Sequence, residues 1–380
     1  MFAGADGGLT EGQRAVAEAV REFAATELRP GAATRDAEER FPEAAWDGLA
    51  GMGTTGLAVP ERYGGEGADR TTHAVVAEAV AHGSLAVATA LSVHWLATAC
   101  IGSFGSAAQR ERWLPEMADG RPVGMFALSE PGAGSNPAEM ETVARREGDE
   151  YVIEGEKAWI TNGARGEVCI LFAKTDPDDP DSITQFLVPK STGGVTVGPP
   201  EHKLGLRASD TTGLRFDGAR IPAANRLTPE GRGLSAALSV LTGGRIAIAA
   251  AATGLAQAAL DEAIDHVGER ERSGDPLAAV GAVRQRIAGM ATRVHAARTA
   301  VREAARQDDA GGDPRLAASM AKLFAGEAAV EVCGEAVQVH GGRGYVRGDV
   351  ERFYRDAKVT TIYEGTSEIQ REIIARALLD

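Results

Sequence analysis

The apolar positions of this 380-residue chain change period twice. From Thr10 to about Phe104 they recur at helical spacing. Thr10 and Gln13 form a capping box; Val16, Val20, Phe23 and Leu28 line one side of the helix it opens, and Pro30 stops it. Further helices are predicted over 42–52, 71–82 and 85–104, and Ser106 with Gln109 caps another that ends near Gly120. The stretch VPERYGGEGAD, from Val59 to Asp69, is turn chemistry. Past Arg121-Pro122 the pattern becomes that of strands. Short apolar runs at 123–128, 151–153, 168–173, 183–188 and 214–216 are separated by Gly, Pro and Asp clusters, among them the acidic 176–181 loop. From Gly233 long helical patterns return, over 233–272, 276–307, 314–339 and 367–379. The first is rich in alanine (Ala247, Ala249, Ala250, Ala251, Ala252), so neighbouring backbones can approach closely, and Asp313 before Pro314 reads as a cap with Pro at the first helical position. The expected architecture is α+β multidomain: an N-terminal α-helical domain (1–121), a middle β domain (122–230) and a C-terminal four-helix bundle (231–380).

Composition narrows the functions open to such a chain. Hydrophobic residues at 44% and charged residues at 25% are ordinary for a globular protein. A formal charge of -14 argues against nucleic acid or an anionic membrane surface as partner. Cys100, Cys169 and Cys333 are odd in number and far apart, so they form neither a metal pattern nor a disulfide framework. The start MFAGADGGLTEGQ has no basic n-region or apolar h-region. No run reaches the roughly 18 uninterrupted apolar residues of a membrane span. A cytoplasmic location and no metal are expected.

Candidate chemistry concentrates in Tyr363-Glu364-Gly365-Thr366-Ser367-Glu368. Thr366 or Ser367 can cap the last helix. A carboxylate at a Gly-bearing turn among apolar neighbours can serve as a general base, because burial disfavours its charged form and raises its pKa. Taken alone, the six residues read more simply as a surface Glu beside a helix cap. Two further stretches are FALSEPGAGS, from Phe126 to Ser135, and KAWITNG, from Lys157 to Gly163. Glycines in the first let backbone N–H groups approach an anion or a polarised ring, although a plain turn is the simpler reading. A Trp on a β surface is usually core. His94 and Trp95 read as packing residues, and Arg245 and Arg270 as a solvated helix face.

The run from Gln338 to Arg371, QVHGGRGYVRGDVERFYRDAKVTTIYEGTSEIQR, changes those readings. It resembles the C-terminal signature of the acyl-CoA dehydrogenases, which are FAD-dependent flavoproteins, and the motif pattern is nearest that of their short-chain members. The resemblance implies that Glu364 abstracts the substrate α-proton. It implies a flavin site made by Phe126, Ala127, Leu128, Ser129, Gly134 and Ser135, with Trp159, Ile160 and Thr161 on the second loop and Thr366 and Glu368 beyond the base. Arg270 and Gln338, Val339, His340, Gly341 and Gly342 would reach the FAD of a neighbouring subunit, where a guanidinium fork matches phosphate oxygens. Ser135, Thr242, Arg245 and Gly365 would meet the acyl-CoA. The implied reaction is α,β-dehydrogenation of a saturated acyl thioester in a homotetramer, a dimer of dimers. An electron-transferring flavoprotein is the expected electron acceptor.

Four positions depart from the family pattern: Asn136 stands where Asp is usual, Thr242 where Asp is frequent, Ser273 where Phe is usual, and Gly281 where Gln is usual. Thr242 weakens the expected hold on the CoA adenine, which leaves open an acyl group carried on an acyl carrier protein. Ser273 and Gly281 weaken the hold on the FAD adenine. Some relatives carry the base just before the helix arginine; here that place is Gly244. An oxidase-like enzyme reoxidised by oxygen and a redox-silent binding protein are the other classes.

Overall fold

The structure is a computed structural model and describes residues 7–272 and 274–379. Six helices come first: α1 (Glu11–Phe23), α2 (Ala32–Ala37), α3 (Glu43–Gly51), α4 (Arg70–Gly83), α5 (Leu85–Phe104) and α6 (Ala107–Ala118). Both capping boxes form, Thr10 with Gln13 and Ser106 with Gln109. The first helix is shorter than its apolar pattern, because it loosens into one π turn over Ala24–Leu28 before the chain bends into α2. Val20 and Leu28 are buried, whereas Val16 of the predicted apolar side is exposed.

Seven strands follow: β1 (Gly124–Ala127), β2 (Val143–Glu147), β3 (Glu150–Thr161), β4 (Val168–Lys174), β5 (Ile183–Pro189), β6 (Val195–Pro200) and β7 (Thr211–Pro222). They form one sheet in the order β1-β4-β2-β3-β7-β6, with β5 paired to β4. β2 and β6 escaped the sequence pattern for physical reasons. The outer half of β2 is charged and exposed, and β6 lies at the edge of the ordered path and ends in Pro-Pro, which an edge tolerates.

The last region comprises α7 (Gly233–Glu269), α8 (Gly281–Asp309), α9 (Arg315–His340), α10 (Gly342–Tyr345), α11 (Asp349–Ala357) and α12 (Ser367–Leu379). The predicted helix start at Pro276 moves to Gly281. Glu271–Arg272 pairs instead with Asp275–Pro276, and Val280 is extended. Pro314 sits at the N-cap of α9 rather than inside it. Helix α11 was hidden by its charges: Arg352 and Asp356 are buried and paired at 3.3 Å. Asp356 also accepts from the Leu206 N–H at 2.7 Å, which ties the helix to the sheet.

The core explains how these parts act together. One apolar cluster runs unbroken from Leu9 through α4, α5, α7 and α9 to Ala357. Helices α5 and α7 are apolar and long enough to cross a membrane, but 83% and 61% of their most apolar windows are buried, as befits core helices. The alanines of α7 permit close approach as expected. A Cβ on Gly254 would lie 2.1 Å from the Glu78 carbonyl of α4.

Glu78 is buried and receives Arg298 at 2.7 Å and Arg302 at 3.0 Å, both from α8. Burial acts to raise its pKa, but the two guanidinium groups outweigh that and hold it below the usual carboxylate range. Removing one partner of a buried pair typically costs about 3–5 kcal/mol. Glu78→Ala is therefore expected to lower the thermal midpoint well beyond the change produced by a surface Glu→Ala; equal shifts in calorimetry would show that the network contributes nothing.

Candidate active site

Glu364 follows the single turn Lys358–Thr361 and sits at φ +54°, a left-handed conformation unusual for a residue with a side chain, with Gly365 next at φ +86°. Three side chains hold this turn. Gln370 Nε2 donates to the carbonyls of Glu364 (3.0 Å) and Gly365 (3.2 Å), and Lys322 Nζ donates to Gly365 (2.6 Å). Tyr363 OH shares a hydrogen bond of 3.2 Å with Thr89 Oγ1 of α5. Thr366 accepts from the Ile369 N–H at 3.3 Å and so caps α12, as the sequence indicated. Ser367 is buried in the first turn and Glu368 is exposed beside it.

Glu364 is half-buried as a residue, but its Oε2 is buried and has no hydrogen-bond partner. Burial pushes its pKa up to about 7, and Arg245 and Lys322 pull back without cancelling the rise. Arg245 lies on α7, buried, with its Nε unpartnered. Lys322 is buried on α9, and the same desolvation brings it down to about 8. A Cβ on Gly244 would stand 2.9 Å from Glu364 Oε2 and 3.2 Å from Leu96 Cδ2, so the place where some relatives carry their acid must stay empty here. A cavity of about 530 Å³ adjoins this point, walled by Trp95, Leu96 and Ala99 of α5 and by Gly243, Gly244 and Ala247 of α7.

The two loops on the sheet are tied to each other. The Ala158 N–H donates to the Ser129 carbonyl at 3.0 Å. Lys157 and Glu130 form a buried pair at 2.8 Å, and Lys157 also reaches the Leu128 carbonyl at 3.2 Å. The Glu130 carboxylate takes the N–H groups of Glu141 (2.6 Å) and Thr142 (3.0 Å). Burial would raise its pKa, but Lys157 and the Glu141 N–H keep it low. Between Lys157 and Ile160 the β3–β7 register slips, and Trp159 turns outward at φ +62° with 62% of its surface exposed. This Trp is not core. Phe126 and Ala127 end β1, with Leu128 just after; Ile160 points inward and Thr161 ends β3 half-buried. Gly134 and Ser135 are exposed, with no atom within 4 Å of where a Cβ on Gly134 would stand. An outward indole beside an open Gly-Ser loop fits a planar ring.

Helix α5 joins the two half-sites. Thr89 holds Tyr363, and the next residue, Ala90, accepts from Asn162 Nδ2 at 3.0 Å just past Thr161. His94 is not catalytic in this arrangement: Nε2 meets the Met117 carbonyl at 2.9 Å and Nδ1 accepts from the Gly124 N–H at 3.0 Å. Burial lowers its pKa to about 4, so it stays neutral.

Other expected residues lie elsewhere. Arg270 is the exposed C-cap of α7, 25 residues beyond Arg245, or ~37 Å along the helix at 1.5 Å per residue. It cannot reach the Glu364 of its own chain. Gln338 is exposed, Val339 buried, His340 stacked on His266 at 4.2 Å, and Gly341 and Gly342 exposed. Thr242 is buried and its hydroxyl turns back to the Leu238 carbonyl at 3.4 Å. Asn136 is exposed and donates to Glu139 at 3.0 Å. Gly281 opens α8 with nothing close to it, and Ser273 lies outside the described residues. Sequence reasoning missed Lys322, Gln370, Asn162 and the Glu130–Lys157 pair. Lys322 did leave a signal: it is a lone cation within the buried small-residue face Ala318, Ala321, Ala325 and Ala329.

A base tuned to neutrality has a use where a weak carbon acid must lose a proton, and the indole platform suits a planar redox group. The class so defined is that of flavin-dependent oxidoreductases acting on carbon acids. The comparisons agree. Residues 10–121, 125–219 and 231–379 match the family profiles for the acyl-CoA dehydrogenase N-terminal, middle and C-terminal domains. An acyl-CoA dehydrogenase of Bacillus subtilis (strain 168) is 43% identical over 98% of this chain and 99% of its own. The structure of butyryl-CoA dehydrogenase from Megasphaera elsdenii superposes with a TM-score of 0.95 at 36% identity, covering 98% of this chain and 99% of that one. That of the prolyl acyl carrier protein oxidase AnaB does so with a TM-score of 0.94 at 32% identity, covering 98% and 100%. The chain belongs to the acyl-CoA dehydrogenase family, whose members are FAD-dependent oxidoreductases.

A raised carboxylate pKa is also a statement about stability. Between 4.5 and about 7 the folded chain holds a proton on Glu364 that the unfolded chain has released, so stability falls as pH rises through that window. The full effect is on the order of 3 kcal/mol. Glu364→Gln is expected to stabilise the cofactor-free protein at pH 8 and to leave it nearly unchanged at pH 4. Urea titrations showing the same difference at both pH values would contradict the assigned burial.

Proposed function

We propose that this chain converts a saturated acyl-CoA to its trans-2-enoyl thioester, with Glu364 as the α-proton acceptor. The observation that carries the proposal is the buried, unpartnered Oε2 of Glu364, held against Gly244 beside the cavity. FAD, when bound, supplies the acceptor for the β-hydride. Trp159, Thr161 and the Ser129–Ser135 loop are the residues assigned to its ring. Lys322 and Gln370 fix the peptide groups of the 364–365 turn, and the Glu364 N–H is the donor assigned to the thioester oxygen as enolate charge develops. Burial of Oε2 keeps the pKa of the base near the working pH. Electrons then pass to an electron-transferring flavoprotein; rapid reoxidation in air after anaerobic reduction would instead mark an oxidase.

Glu364→Gln keeps the shape and removes the proton acceptor, so anaerobic flavin reduction should slow by roughly 10²–10⁴-fold while the yellow holoenzyme persists. In the wild type the rate should climb with pH and level off above about 7, the Glu364 value. Near-normal reduction by the variant would remove Glu364 from the role.

A homotetramer arranged as a dimer of dimers is part of the proposal. Its support is the distance of Arg270 from its own Glu364. Exposed apolar side chains at Met320, Phe324, Tyr345 and Val346 add to it. Arg270→Ala should weaken FAD retention through dilution with the fold intact, and FAD occupancy should track assembly. A monomer holding stoichiometric FAD in sedimentation would refute this. Carrier-protein delivery is the second reading. It is favoured by Thr242 and by the similarity to AnaB, and opposed by a charge of -14 against an acidic carrier. Specificity constants for one acyl group on CoA and on a carrier protein separate the two.

A further inference from the structure

The cavity beside Glu364 has a polar wall as well as an apolar one. Arg70 and His73, one turn apart on the same face of α4, both border it, as does Ser92 of α5. Arg70 Nε is held by Asp308 at 2.8 Å, and its backbone N–H by Asp309 at 2.5 Å. Its guanidinium lies flat against Gly243 of α7, where a Cβ would stand 2.6 Å from Cζ and 2.7 and 2.8 Å from the two Nη nitrogens. Among the described residues neither Nη has a protein acceptor. His73 is 3% exposed; its Nδ1 lies 3.0 Å from the Asp69 carbonyl, which can only accept, so Nδ1 carries the proton. That leaves Nε2 an acceptor, buried and unpartnered. The Ser92 hydroxyl donates to the Thr89 carbonyl at 2.8 Å, so its proton is already committed. A guanidinium with no protein acceptor for either Nη, set against a hydrocarbon tail, would be desolvated without compensation.

Distance places this polar wall within reach of the acyl terminus. Gly243 admits the guanidinium and its neighbour Gly244 admits the Glu364 carboxylate. With consecutive Cα atoms ~3.8 Å apart, the two charged groups are at most roughly 12 Å from each other. Each glycine costs about 1 kcal/mol of helix propensity relative to Ala in the middle of α7, and each leaves room for one of these groups.

Building on the proposed dehydrogenation, we propose that the acyl group taken by this cavity is short and ends in an oxygen-bearing group that accepts from Arg70. A carboxylate would take both Nη donors. A hydroxyl would take one of them. The reaction at Cα and Cβ is the same for either, and the oxygen end serves only recognition.

The test uses the holoenzyme and CoA thioesters of butyric, 4-hydroxybutyric and succinic acids, with their five-carbon counterparts, read by anaerobic flavin bleaching. At least one oxygenated series is expected to exceed its alkyl counterpart by tenfold or more in kcat/KM, and which one identifies the terminus. The double variant Arg70→Met/Asp308→Asn removes the cation without orphaning the carboxylate, and should erase that ratio. Calorimetry on Glu364→Gln reads the same ratio as binding without turnover. Alkyl thioesters matching or beating the oxygenated ones in the wild type, or a ratio unchanged in the double variant, would overturn the inference while leaving the dehydrogenase intact. Failure of every thioester to bleach the flavin would overturn both.

Discussion

The structure turns on one condition: a carboxylate can be a base near neutrality only if it is kept from water and denied a full partner. Glu364 meets it through its surroundings. Its left-handed backbone would relax if the turn were free, so Gln370 and Lys322 hold both carbonyls of the turn. Its side chain needs a place in a packed interior, and Gly244 supplies it on a helix where alanine would otherwise serve. Arg245 and Lys322 stand near enough to temper the charge, and among the described residues neither closes an ion pair with it. A paired Glu364 would be ionised, but too weak a base to take a proton from carbon.

Helix α5 carries the second half of that condition. A proton acceptor and a redox platform are useful only in fixed relation, and they come from opposite ends of the sequence. Successive residues of α5 settle the relation, Thr89 by its bond to Tyr363 and Ala90 by its bond from Asn162. Leu96, two turns on, closes the carboxylate's pocket. This is why α5 is nearly uniformly apolar and buried: it has neighbours on every side.

Much of this was legible beforehand. Long periodic helices and the turn at Glu364 could be read because local pattern and cap chemistry express themselves over a few adjacent residues. The bulge at Trp159 could not. It arises from a register slip between β3 and β7, and β7 lies some fifty residues later in the chain. Helix α11 was obscured for a similar reason, since its buried Arg352–Asp356 pair presents charges where a reader of periodicity looks for apolar residues. Lys322 is a third case: as a lone lysine it gives no reason to place it at Gly365, because its partner lies 43 residues away.

Three glutamates show how far environment decides role. Glu78 sits between Arg298 and Arg302 and is held below the usual carboxylate range, so it serves packing between α4 and α8. Glu130 is held low by Lys157 and backbone N–H groups, and it locks two loops together. Glu364 is desolvated like them but has cations only at a distance, and it alone of the three moves up, to about 7. The side chain is the same in each case. What separates the two structural carboxylates from the third is whether the fold closes the last hydrogen bond, and at Glu364 Oε2 it does not.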